Sequence, residues 1–262
     1  MTKILAVTNQ KGGVGKTTTT VNLAASLAAA QQRVLLIDLD PQGNATMGSG
    51  IDKRDLLASV YEVLLGSKSI VEARIYADAG KYDLLPANRD LAGAEIELVD
   101  LPQRETRLRE ALQLVEGEYD FVLIDCPPAL NLLTLNGLCA AKSVMIPMQC
   151  EYYALEGLSD LVNTIRKVRT SLNPVLEIEG LLRTMFDPRN ALAQQVSDQL
   201  LEHFGNKVYR TVIPRNVRLA EAPSYGVPVL YHDKLSKGTQ AYLALAGELL
   251  NNAVQPQPAA TV

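Results

Sequence analysis

The 262 residues are 47% hydrophobic and 21% charged, room for one α/β domain with a large core or for two smaller ones, and no apolar run exceeds strand length, so no membrane span is expected. Met1 leads almost directly into the first apolar run, which leaves no room for a signal peptide and points to the cytoplasm. Net charge is −4, yet residues 165–240 carry eleven Lys/Arg against seven Asp/Glu, so a surface facing a polyanion is compatible with the acidic total.

The first element is the strand Ile4 to Val7, and it opens into the glycine-rich stretch TNQKGGVGKTTTT. Gly12, Gly13 and Gly15 allow the backbone to approach an anion and turn its N–H groups inward, because no Cβ intervenes. Lys16 can then reach the β- and γ-phosphates of a nucleotide and the Thr17 hydroxyl can ligate Mg²⁺. A helix expected over Thr17 to Ala30 points its positive end at the same phosphates. The pattern describes a nucleoside triphosphate site built from Gly12, Gly13, Val14, Gly15, Lys16, Thr17 and Thr18.

The strict motif G-x-x-x-x-G-K-[ST] requires glycine at position 10, where this chain has Gln10. What stands here is K-G-G-V-G-K-T, with Lys11 five residues before Lys16, and it resembles the deviant P-loop of the ParA/MinD family of ATPases. The resemblance implies that Lys11 reaches across a dimer interface to the partner's phosphates.

Arg33 to Asp38 is a second buried strand, apolar throughout as parallel strands covered on both faces tend to be. It ends in D-L-D-P-Q-G-N-A-T, which delivers Asp38 and Asp40 to the end of the sheet where α/β proteins bind ligands. Asp38 is read as a cap on its strand. Asp40 matches the family residue that positions the attacking water.

Residues 50–115 suggest helices over Leu56 to Leu65, Leu91 to Val99 and Thr106 to Val115, with a strand at Tyr82 to Leu85, and they carry no identifiable chemistry. Asp120 to Asp125 is a second strong signal: four apolar residues ending in a carboxylate, followed by Pro127 and Pro128. Beside a P-loop this is the Walker B arrangement, with Asp125 serving Mg²⁺ through water. Cys126, Cys139 and Cys150 lack C-x-x-C spacing and read as small buried residues.

Ser143 to Pro147 is a further strand, and Gln149 to Gly157 (QCEYYALEG) again matches the family. A helix over Leu158 to Leu172, a strand over Ile178 to Phe186, a last strand over Val208 to Val212 and a final helix from Thr239 to about Ala253 complete the expected elements. By resemblance the loop 213–223 holds adenine, with Pro214 and Asn216 as base contacts. Arg189, Arg215 and Arg218 are candidates for a DNA-facing surface.

The resemblance spans residues 2 to about 250 and is strongest to short chromosomal ParA/Soj proteins. It implies a single doubly wound α/β fold over residues 1–253, a mostly parallel sheet with helices on both faces, and a disordered tail at 254–262. The cofactors implied are ATP and Mg²⁺, with Lys11, Lys16 and Asp40 as catalytic residues. The activity implied is a slow ATPase for DNA segregation: an ATP-dependent homodimer binds double-stranded DNA without sequence preference, and a ParB-type protein stimulates hydrolysis. The location implied is the nucleoid, with no membrane contact. Three rivals share the loop: a MinD-like division-site ATPase, whose basic amphipathic tail has no counterpart in QPQPAATV; a synthetase of the dethiobiotin type; and a nitrogenase-type reductase, which the cysteine spacing disfavours.

Overall fold

In the computed structural model, which describes residues 2–254, the apolar runs line up side by side. Lys3–Val7 (β1), Val34–Asp38 (β2), Ile75–Ala77 (β3), Tyr82–Leu85 (β4), Phe121–Asp125 (β5), Ser143–Gln149 (β6) and Glu177–Thr184 (β7) form one sheet in the order β3-β4-β2-β5-β1-β6-β7. Every neighbouring pair is parallel except β3 against β4. This is the doubly wound, mostly parallel sheet expected from the sequence.

Every residue of β2 and β5 is buried, which is why these strands are apolar without alternation. The period of two appears instead in where they point. Ala6, Leu35, Ile37, Val122 and Ile124 join one core, and Leu5, Val7, Leu36, Phe121 and Leu123 join the other. Helices Lys16–Ala29 and Lys237–Val254 cover the second core, while Arg107–Leu112, Leu132–Ala140, Ala154–Ser171 and Ala191–Phe204 cover the first.

Three expectations change. The helix foreseen from Leu56 starts only at Val60, because Ser59 caps it: the Ser59 hydroxyl accepts from the Tyr61 N–H and the Glu62 carboxylate accepts from the Ser59 N–H at 2.8 Å. Val208 to Val212 is not a strand. The segment runs along β7 with bridges only at Leu181–Val208 and Phe186–Pro214, because the Arg210 and Thr211 amides turn to the Glu248 carboxylate, at 2.7 and 3.0 Å, instead of continuing the ladder. The edge strand β3 and the helices Leu132–Ala140 and Ala191–Phe204 are additions. Residues 255–262 of the expected tail lie outside the described residues.

Because β1 lies between β5 and β6, the chain leaves it toward β2 on one side and later returns to β6 and β7 on the other. That reversal opens a crevice at the carboxyl ends of β1, β2 and β5, the usual place for a ligand in such sheets.

Candidate functional site

The crevice is filled by the loop between β1 and the Lys16–Ala29 helix. Gly13 and Gly15 have φ of +73° and +86°, left-handed conformations that a side chain would strain, and Gly15 ends as the residue before the helix. Gly12 has neither a left-handed φ nor a neighbour within 4 Å of an added Cβ, so the fold of the chain itself does not require glycine there. The loop is fastened on both sides. The Asn9 amide donates to the Pro147 carbonyl at 2.8 Å, and the Thr184 hydroxyl donates to the Val14 carbonyl at 2.8 Å.

Lys16 is only 7% exposed, and its ammonium donates to the Lys11 carbonyl at 3.1 Å, curled back over the loop. Burial lowers its pKa, opposed by the nearby carboxylates of Asp125 and Asp40. Beneath it, fully buried Asp125 accepts from the Thr17 hydroxyl at 2.7 Å and from Thr20 at 3.2 Å. Parallel register sets Asp38 of β2 directly beside Asp125 of β5. Burial first, then the Asp38 charge, pushes the Asp125 carboxyl up to about 8; burial likewise raises Asp38 to about 6. Asp38 is held by the Thr46 N–H and hydroxyl, both at 2.8 Å, and by the Asp40 N–H at 3.1 Å, so it shapes the loop that presents Asp40.

This arrangement can hold an anion and a hard cation side by side. The glycine-rich backbone and the Lys16 ammonium can meet the anion. The Thr17 hydroxyl donates to Asp125 and so keeps its lone pairs for a cation, while Asp125 sits one layer behind. No group of three or more His, Cys, Asp and Glu suited to a metal occurs among the described residues, so the protein alone would supply few ligands. That suits Mg²⁺, which keeps waters and takes phosphate oxygens.

The family assignment comes from three comparisons. A family model described as an AAA domain matches residues 2–178. The sporulation initiation inhibitor protein Soj of Bacillus subtilis is 54% identical over 252 residues, 96% of this chain and 100% of that protein. The chromosome partitioning protein ParA of Caulobacter vibrioides is 52% identical over 251 residues, 95% of this chain and 94% of that one. The chain belongs to the ParA/Soj family of chromosome-partitioning ATPases. A solved structure described as cobyrinic acid a,c-diamide synthase of Mycobacterium smegmatis, with a bound ATP analogue and magnesium, has a TM-score of 0.88 at 41% identity and covers 98% of this chain and 97% of its own.

In this ParA/Soj chain, residues 12–18, Asp40 and Asp125 gather at one edge of the sheet, as the sequence suggests. The Lys11 side chain stands apart from them, although the Lys11 backbone carbonyl accepts from Lys16. The Lys11 ammonium lies 2.5 Å from the Glu151 carboxylate, with both side chains about half exposed. Pro214 bridges to Phe186 just beyond β7, and the Asn216 side chain caps the Val217–Glu221 helix by accepting from the Arg218 N–H. Arg189 is paired with Asp187 at 2.8 Å, and Arg218 with Glu221 at 2.8 Å and Asp233 at 3.3 Å. Arg215 is exposed and makes no salt bridge among the described residues.

Sequence reasoning missed the Glu151 pairing, although the residue lies inside the QCEYYALEG stretch. It also missed a groove of about 420 Å³ that begins at Thr17 and Thr18 and continues between Met47 and the turn Ala222–Ser224. Residues of three separate segments line that groove, and no local pattern joins them.

Proposed function

We propose that this ParA/Soj protein binds ATP and Mg²⁺ at the β1 loop and hydrolyses the nucleotide slowly, cycling between a monomer and an ATP-bound homodimer that holds double-stranded DNA without sequence preference. A ParB-type partner stimulates hydrolysis and release. The observation that carries the nucleotide reading is the buried Lys16 ammonium above the Thr17–Asp125 hydrogen bond, a pairing of anion and cation subsites in one crevice.

Lys16 stabilises charge on the β- and γ-phosphates, and the loop amides fix the chain's geometry around them. Mg²⁺, when bound, neutralises phosphate charge, with Thr17 and, through water, Asp125 as its protein support. Asp40 orients the water. Lys11 must leave Glu151 to serve a partner subunit, and an exposed pair of this kind is worth only about 0–1 kcal/mol, so a polyphosphate can compete for the ammonium. Two sites are open to the base: the Pro214–Asn216 loop and the groove that starts at Thr17 and Thr18. Arg189, Arg215 and Arg218 remain the proposed DNA contacts, at the nucleoid.

The test is to measure oligomeric state and DNA binding side by side with no nucleotide, with ADP, and with ATP. Dimerisation and DNA binding only with ATP are expected; DNA binding indifferent to nucleotide would overturn the reading. A second reading, amide formation on a metabolite, draws on the description of the M. smegmatis neighbour. ATP turnover dependent on cobyrinic acid, and indifferent to DNA, would favour it.

A further inference from the structure

At the edge of the sheet opposite the phosphate loop, the starts of β1 and β5 and the end of the Leu132–Ala140 helix leave a cavity of about 240 Å³. Its inner wall is mostly apolar, with Leu112, Val122 and Cys139 all nearly fully buried, beside the buried Asn173, whose amide is spent on the Leu138 and Ala141 carbonyls at 2.8 Å. Two cations stand over it. Lys142 donates to the Thr2 carbonyl at 2.9 Å, which engages one of its three donors. Arg109 makes a single long contact, 3.4 Å to the Leu172 carbonyl, and leaves most of its fork unengaged. Neither has a salt-bridge partner among the described residues. Glu105, whose charge acts on Cys139 in the cavity wall, is already paired with Arg104 at 3.0 Å.

An apolar pocket with two under-engaged cations at its mouth is the complement of a small amphipathic anion. A cavity of about 150 Å³ accommodates benzene, so this one has room for a body of roughly ten non-hydrogen atoms. Glu116 also lines the rim, which leaves it with one net positive charge and disfavours a second carboxylate on the ligand.

We propose that this cavity is a binding site for a small monocarboxylate with an apolar or aromatic body, its carboxylate held by Arg109 and Lys142. The ligand is not a reactant of the ATPase, since the five residues of β1 and of β5 separate it from the phosphate loop by about 16 Å. The Leu132–Ala140 helix follows the loop after Asp125 and ends at the cavity, so an occupant touches an element that begins at the nucleotide edge.

Nitrogen-15-labelled, nucleotide-free protein titrated with phenylacetate and, separately, with the neutral isostere phenylacetamide tests this. Phenylacetate should give saturable shifts at the amides of Cys139 to Lys142 and Arg109 to Gln113. Its dissociation constant should be on the order of 1 mM, modest for ten atoms. The amide should bind about fivefold or more weakly. Arg109→Gln and Lys142→Met should each weaken phenylacetate by a similar factor while leaving phenylacetamide and ATP binding unchanged, and ATP binding doubles as the folding control. Equal binding of acid and amide, shifts centred on the phosphate loop, or no saturable shift would each overturn the proposal; the comparison on the unmodified chain stands even if a variant fails to fold.

Discussion

The phosphate loop and the segment from Asp187 to Arg218 both put positive charge beside the sheet, and they do so in opposite ways. Lys16 is 7% exposed and enclosed by its loop, with Asp125 at the end of β5 and Asp40 in the loop after β2 acting on it. The Arg189 side chain is 89% exposed and closes on Asp187, two residues away, with Arg218 bound to Glu221, three residues away. Burial makes a charge expensive, so its partners must be brought from distant parts of the chain and its geometry is determined. Exposure lets an arginine take any nearby carboxylate for a small gain, and its role is left open.

Breaking the buried side should have the largest effect. Lys16→Ala removes the ammonium buried in the loop, and ATP affinity by calorimetry should fall by about 10³-fold, in keeping with truncation of a buried charged hydrogen bond. Near-normal binding would mean the amides alone hold the nucleotide. Asp40→Ala leaves that charge in place and should slow hydrolysis by about 10²-fold with ATP binding retained, because a water-orienting carboxylate acts mainly in the transition state. A persistent ATP-bound dimer in light scattering is the expected signature, and normal turnover would make Asp40 only part of the loop.

Lys11 lies between the two extremes, half exposed and paired with Glu151. Lys11→Ala should bind ATP within about threefold of the unmodified chain yet elute as a monomer with ATP, since an exposed pair contributes little to the fold. A stable ATP dimer would place Lys11 with the surface arginines.

The same contrast explains what was legible in the sequence. Runs such as Val34–Asp38 and Phe121–Asp125 are buried on both faces, so their chemistry has one interpretation, and the carboxylates at their ends fall beside the loop by register alone. The Leu132–Ala140 helix was not legible, because it is apolar almost all round and contains Gly137. An added Cβ there would meet the Cys126 sulfur at 2.8 Å, so that glycine serves packing and not a turn. The Ala191–Phe204 helix buries Ala193, Val196, Ser197 and Leu200, a helical spacing diluted by small and polar residues. The Ser59–Glu62 cap was written in the sequence as S-x-x-E and could have corrected the helix start. At the site, Glu151 and the groove toward Ala222 depend on segments that meet only through the fold.

A smaller effect tests the buried pair without nucleotide. Asp125 and Asp38 are raised to about 8 and about 6, so the folded apo protein keeps protons that the unfolded chain releases near pH 4. Stability is then greatest in acid, above the onset of other acid effects, and declines as pH rises through about 6 and about 8. Asp125→Asn supplies a neutral side chain of the same shape. Melting in EDTA should show a flatter profile between about pH 5 and 8 and a higher midpoint at pH 8. An unchanged slope would mean that Asp125 is ionised throughout and stabilised by Thr17 and Thr20.

The smallest expected effect concerns the exposed side, and it is the one that sharpens the comparison. If Arg189 is a DNA contact, its Asp187 partner competes with the phosphate backbone for the same guanidinium, and Arg215 feels the same carboxylate. Asp187→Asn removes the competitor while both arginines stay in place. DNA affinity of the ATP-bound protein should therefore rise, by no more than about fivefold, because an exposed pair is worth at most about 1 kcal/mol. The log–log salt dependence should steepen by about 0.9 for each additional phosphate that an arginine neutralises. Arg215→Ala should weaken binding more than Arg189→Ala, since Arg215 gives up no salt bridge to reach a phosphate. If Asp187→Asn leaves affinity and salt slope unchanged while ATP still drives dimerisation, these arginines are ordinary surface charges, and the DNA-facing surface lies elsewhere on the dimer.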